Sequence, residues 1–142
     1  MAFTPTYDTP QLQAPILGYS GLVTTANTAR DGTGTVSTIF TADATNGGRA
    51  FRVTAMAAGT NPQSVLRIFY NNGDATSTAS NNVLIAEVDL PPTTASASLP
   101  LAPVYKDLNL DIPPSTNPGR ITCCVGTSGT DGWYFSCTGR KY

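Results

Sequence analysis

Two runs in the middle of the chain, Ser64 to Asn71 (SVLRIFYN) and Asn82 to Leu90 (NVLIAEVDL), restrict the possible folds more than any other feature. In both, β-branched and aromatic residues alternate with residues that tolerate water, the period-two pattern of a strand with one buried face. Leu66, Ile68 and Tyr70 share a face of the first run, and Leu84, Ala86, Val88 and Leu90 share a face of the second. The intervening Asn72 to Asn81 (NGDATSTASN) suits an exposed turn. Antiparallel pairing about that turn sets Arg67 opposite Glu87 on the face away from the core, a structural ion pair.

The rest of the chain repeats this grammar. A short strand is possible at residues 21–28, and Val36 to Thr41 is a clearer one. Asn46-Gly47 is a hairpin signal because both residues tolerate positive φ. Arg49 to Ala58 follows with Phe51, Val53 and Ala55 on one side. Next come the two central runs, then a strand with Lys106, Leu108, Leu110 and Ile112 on one side, then Arg120 to Gly126 and Gly132 to Thr138. Charged residues make up 12% of the chain, against about 25% in an average globular protein, and Glu87 is the one glutamate, so exposed helix faces are not provided for. The expected fold is all-β: a single-domain antiparallel β-sandwich, jelly-roll-like, spanning residues 19–142. Its core is expected from Phe51, Val53, Leu66, Ile68, Leu84, Val88, Leu108, Leu110, Ile121, Val125, Trp133 and Phe135.

Residues 1–18 read differently. Pro5, Pro10 and Pro15 fix φ and remove donors, which favours an extended path. Its spaced apolar residues Phe3, Tyr7, Leu12, Ile16 and Leu17 are the expected contacts of an N-terminal arm that docks on a neighbouring surface; a disordered tail is the alternative reading. The segment lacks the basic and apolar regions of a signal peptide and is too interrupted for a membrane span, so no membrane role is expected.

Several chemistries find little support. Net charge is −1 with scattered cations, so no nucleic-acid footprint is expected. The chain has no histidine, which removes the commonest base for a serine or cysteine nucleophile, and Ser128 lacks the spacing of a nucleophile elbow. Asp107 and Asp111 alternate on the wet face of a strand, which accounts for them without hydrolysis. Gly32-Thr33-Gly34 lacks the helix that phosphate cradling needs. Cys123, Cys124 and Cys137 are odd in number and read as reduced core thiols. A zinc site would lack a fourth ligand, and the loop aspartates Asp31, Asp43, Asp74 and Asp131 are too dispersed for a dedicated calcium loop. No enzyme, cofactor or metal is expected. Tyr70, Tyr105 and Tyr134 are candidates for a sugar platform.

The stretches RVTAMAAGT, VLRIFYNNG and LIAEVDLPPTTASASLPLAPVYKDLNLDI, with GWYFSCTGRKY closing the chain, carry a recognisable layout. It resembles a group of small β-rich structural proteins of tailed bacteriophages. The ending Gly139-Arg140-Lys141-Tyr142 departs from that group's glycine-glycine-aspartate-aromatic terminus, and the loop from Pro113 to Gly119 is longer than usual. The resemblance implies a virion component assembled in the host cytoplasm: a capsid decoration or cement protein that binds and stabilises the head shell, with the major capsid protein as partner. Shell symmetry suggests a homotrimer. The alternative is a tail- or head-surface module that binds host glycans.

Overall fold

The computed structural model describes residues 14–142 and builds them into eight strands. These are β1 (Ala14–Tyr19), β2 (Ser37–Thr41), β3 (Gly48–Ala57), β4 (Ser64–Asn71), β5 (Asn82–Leu90), β6 (Val104–Ile112), β7 (Arg120–Val125) and β8 (Trp133–Lys141). Two four-stranded antiparallel sheets, β1-β8-β3-β6 and β2-β7-β4-β5, pack face to face as a β-sandwich. The pairings nest, β1 with β8, β2 with β7, β3 with β6 and β4 with β5, so every connection but β4 to β5 carries the chain to the opposite sheet. The central pair lies as its sequence requires: β4 and β5 are neighbours, and Arg67 Nε meets Glu87 Oε1 at 3.0 Å in register.

The Asn46-Gly47 turn departs from expectation. Gly47 has φ +79°, and Asp43 Oδ1 accepts from the N–H groups of Thr45 and Asn46 at 2.9 Å each. The turn is tight, yet β2 and β3 belong to different sheets. It is therefore a corner between sheets and joins no hairpin.

Register shifts correct the expected core. In β3 the shift between Ala50 and Arg52 turns Ala50, Val53, Ala55 and Ala57 inward. Phe51 is left at the bulge, partly buried, with the Arg140 guanidinium carbon 4.8 Å from its ring centroid. In β5, Ala86 faces Ile68 but Leu84 faces Phe69, so Ile85 is the additional residue. Ile85 packs against the core while Leu84 turns to the outer face beside Phe69, which is wholly buried there. A third shift in β2, between Thr38 and Phe40, admits both Ile39 and Phe40 to the core. Each bulge inserts one residue into a ladder and inverts the facing beyond it, which strict alternation cannot anticipate. The other expected positions lie inside: Val53, Leu66, Ile68, Ile121, Val125, Trp133 and Phe135 fully, and Val88, Leu108 and Leu110 partly.

The expected strand at residues 21–28 is not formed. A single bridge links Val23 to Trp133, after which the chain leaves the first sheet and crosses the outer face of the second. The Asn27 carbonyl accepts from Arg67 Nη1 at 3.2 Å and from Cys124 Sγ at 3.7 Å. Further along, Arg30 Nη1 meets Glu87 Oε1 at 2.8 Å, and Gly32, at φ +78°, backs onto the Asn82 side chain. Asn27 braces this cover by donating to the carbonyls of Thr33 and Thr35 at 2.8 and 2.9 Å. Arg67 and Phe69 share one side of β4, with Cys124 and Thr122 opposite them on β7. Hence Phe69, Thr122 and Cys124 are buried on a face that a bare two-layer sandwich would leave wet.

Candidate functional site: the outer face of the first sheet

Residues 21–36 cross the outer face of one sheet, whereas none of the described residues crosses the outer face of the other. Register aligns the outward side chains of β1-β8-β3-β6 in rows. Pro15, Arg140, Arg49 and Asp111 form one row; Leu17, Thr138, Arg52 and Asp107 the next; Tyr19, Ser136, Thr54 and Tyr105 the third. Tyr134 then faces Met56. Tyr19 is 74% exposed, Leu17 62%, Tyr105 57%, Tyr134 49% and Met56 40%. Leu22, Val83 and Leu99 are the only other large apolar side chains that open among the described residues, so the exposed apolar surface concentrates on this face.

Two of its arginines are ion-paired in place. Arg52 Nε meets Asp107 Oδ1 at 2.5 Å, and the Arg52 guanidinium carbon lies 4.2 Å from the Tyr105 ring centroid. The hydrogen bond from Arg52 holds the Asp107 carboxyl below the usual carboxylate range and raises the arginine in turn. Arg49 Nη1 pairs with Asp111 Oδ2 at 2.9 Å, and the Tyr142 hydroxyl donates to Asp111 Oδ1 at 3.1 Å. The result is a tyrosine-rich surface with charges already paired along its β6 side. Tyrosine gives large contact area for little lost rotamer freedom, so such a surface suits adhesion to another surface more than chemistry on a small molecule.

The sequence candidates fall unevenly on it. Leu17 points outward from β1, whereas Ile16 points inward and packs against the core. Residues 14–18, read as the end of an arm, belong to edge strand β1; Phe3, Tyr7 and Leu12 lie outside the described residues. Of the tyrosines, Tyr105 and Tyr134 share the face, while Tyr70 sits on the second sheet, partly buried beside a shallow cleft with Val83, Ile85 and Leu110. Sequence reasoning missed Tyr19 and Met56. Alternation of Leu17 with Tyr19 was the available signal, hidden by the prolines before it.

The remaining candidates are absorbed by structure. Asp31 Oδ1 accepts from the Thr33 hydroxyl at 2.6 Å and from its N–H, which lowers the Asp31 pKa. Asp131 Oδ2 accepts from the Thr60 N–H, and Asp74 Oδ1 from Asn117 Nδ2 at 2.6 Å. Among the described residues, no three histidine, cysteine or acidic side chains converge as metal ligands. The three cysteines are free and buried, and burial pushes the Cys137 thiol up to about 12 and raises Cys123 and Cys124 as well. Comparison of the chain with protein-family models, curated proteins and solved structures found no match.

Proposed function

We propose that this protein is a capsid decoration protein of a tailed bacteriophage, which lays the outer face of the β1-β8-β3-β6 sheet against the head shell and stabilises it. The major capsid protein is the partner, and the N-terminal segment read from the sequence as an arm contributes to binding. The observation that carries the reading is the asymmetry of the sandwich: residues 21–36 cross the outside of one sheet, while no described residue crosses the other, which presents Leu17, Tyr19, Met56, Tyr105 and Tyr134. The strand order 1-8-3-6 over 2-7-4-5 is what results when a ribbon of four nested strand pairs rolls up, and we read the sandwich as a jelly roll on that basis. The sequence layout that resembles small phage structural proteins supports the same assignment. A repetitive shell also makes weak individual contacts sufficient.

The test is co-sedimentation with phage heads purified free of the protein. The parent pellets with heads, Tyr19→Ser/Met56→Ser/Tyr134→Ser loses at least tenfold in apparent affinity, and deletion of residues 2–13 loses affinity with the fold intact. Unchanged binding of the triple variant would exclude this face. The exposed pair Tyr105 and Tyr134 favours one second reading, attachment to host glycans. Saturable sugar binding that is lost in Tyr105→Ala, together with no affinity for heads, would select it.

A further inference from the structure

The edge of β1 away from β8 has no partner among the described residues. Alternate residues of a strand direct their N–H and C=O groups to opposite sides. The Ser20 N–H donates to the Phe135 carbonyl at 2.8 Å, and Val23 exchanges bonds with Trp133 at 2.9 and 3.0 Å. Odd-numbered β8 residues therefore face β1, and Ala14, Ile16 and Gly18, opposite Lys141, Gly139 and Cys137, spend their backbone groups on that ladder. Pro15, Leu17 and Tyr19 direct theirs to the open edge, where no described residue accepts from Leu17 or Tyr19.

Sheet edges are ordinarily blunted by charge, bulge or brevity. The other three edges of this sandwich follow the rule. β6 carries Lys106, Asp107 and Asp111 and a kink at Asn109, φ +47°. β5 carries Glu87, Asp89 and the bulge at Ile85, and β2 is five residues long and bulged. β1 (APILGY) has no charge and runs in unbroken register with β8. Its single guard is Pro15, whose nitrogen faces the open side.

We infer that two copies of the chain join β1 to β1 about a twofold axis through Leu17, making one continuous eight-stranded sheet. This register satisfies the proline. Leu17 pairs with Leu17 of the second copy, each donating to and accepting from the other. Each Tyr19 N–H donates to the carbonyl of Pro15 in the second copy, which puts the missing proline donor where it does least harm and lays each Tyr19 ring beside a proline ring. The arrangement is isologous and closes at two copies, so a threefold assembly would need a different surface. It joins the two outer faces along their Leu17 and Tyr19 rows into one larger surface of the same character.

Cysteine cross-linking reads the register directly. Residues directly opposed in a hydrogen-bonded pair have Cα atoms about 5.5 Å apart, within disulfide range. The two Tyr19 positions would stand roughly 13 Å apart along the strands, beyond it. Under mild oxidation, full-length Leu17→Cys forms a covalent dimer, whereas Tyr19→Cys and the parent, with its three buried thiols, do not. Sedimentation equilibrium of the parent gives twice the 14.8 kDa chain mass. Leu17→Lys and Leu17→Glu each revert to that single mass, and an equimolar mixture of the two recovers the doubled mass. A monomeric parent, equal cross-linking at Leu17 and Tyr19, or a Leu17→Lys variant that keeps its oligomeric state would each overturn the inference. Leu17 is 62% exposed on its own fold, so these substitutions leave the domain folded.

Discussion

Phe69→Ala against Phe51→Ala separates the bulged sandwich from the one that simple alternation describes. Phe69 is 0% exposed, held on the outer side of the second sheet between Leu84 and Thr122. Truncation returns about 100 Å² of apolar surface to the ledger at about 25 cal/mol per Å², or about 2.5 kcal/mol. A residual cavity of about 80 Å³ adds about 2 kcal/mol at about 24 cal/mol per Å³, for a total of about 4.5 kcal/mol. That corresponds to a Tm lower by roughly 12 to 16 °C for a domain of this size. Phe51 is only partly buried at its bulge and loses about 1 kcal/mol. Urea unfolding followed by fluorescence reads both, because Trp133 is the single tryptophan and is 1% exposed. If Phe51→Ala costs as much as Phe69→Ala, the bulge in β3 and the second buried layer are both misplaced.

Other substitutions probe the packing from different sides. Thr122 Oγ1 is buried without a hydrogen-bond partner among the described residues, so Thr122→Val raises stability by about 1 kcal/mol in the same urea titration. The Phe40 ring lies over Gly139, where an added Cβ would fall 2.5 Å from Phe40 Cε2; Gly139→Ala therefore overpacks and costs about 1 to 3 kcal/mol by thermal melt. Arg30 and Arg67 lower the Glu87 pKa in the fold, so its contribution is present above the unfolded carboxylate range and fades as pH falls through the folded value. Glu87→Gln should flatten the acid limb of a Tm-versus-pH profile. Cys137 shifts the other way: its contribution is full below the unfolded thiol pKa of about 8.5 and is lost as pH rises toward about 12. Consistent with that, a disulfide reagent at pH 8 should label no thiol until urea unfolds the chain.

The architecture was legible where a strand has one wet and one dry face. β8 is such a strand, with Trp133 and Phe135 inside and Tyr134 and Thr138 exposed, whereas β4 and β7 read correctly only for their inner residues Leu66, Ile68, Ile121 and Val125, their other face being covered as well. Legibility failed at Phe51 and Leu84, since a bulge is decided by how two distant strands meet and leaves no periodic trace in either. Burial of Phe69 and Cys124 was equally hidden, because what covers them is a coil segment pinned by Asn27 and Arg30 from far along the chain. The candidate face was half visible. Tyr105 and Tyr134 stood out as wet-side aromatics, but Tyr19 and Met56 joined them only once β1 and β3 were placed either side of β8.

Contact between one sheet face and a shell is tested directly by electron cryomicroscopy of phage heads decorated with the purified protein. The expected result is sandwich-shaped density on the head exterior with the β1-β8-β3-β6 sheet toward the shell and residues 21–36 turned to solvent. Density with the β2-β7-β4-β5 side against the shell, or heads left bare at saturating protein, would contradict it.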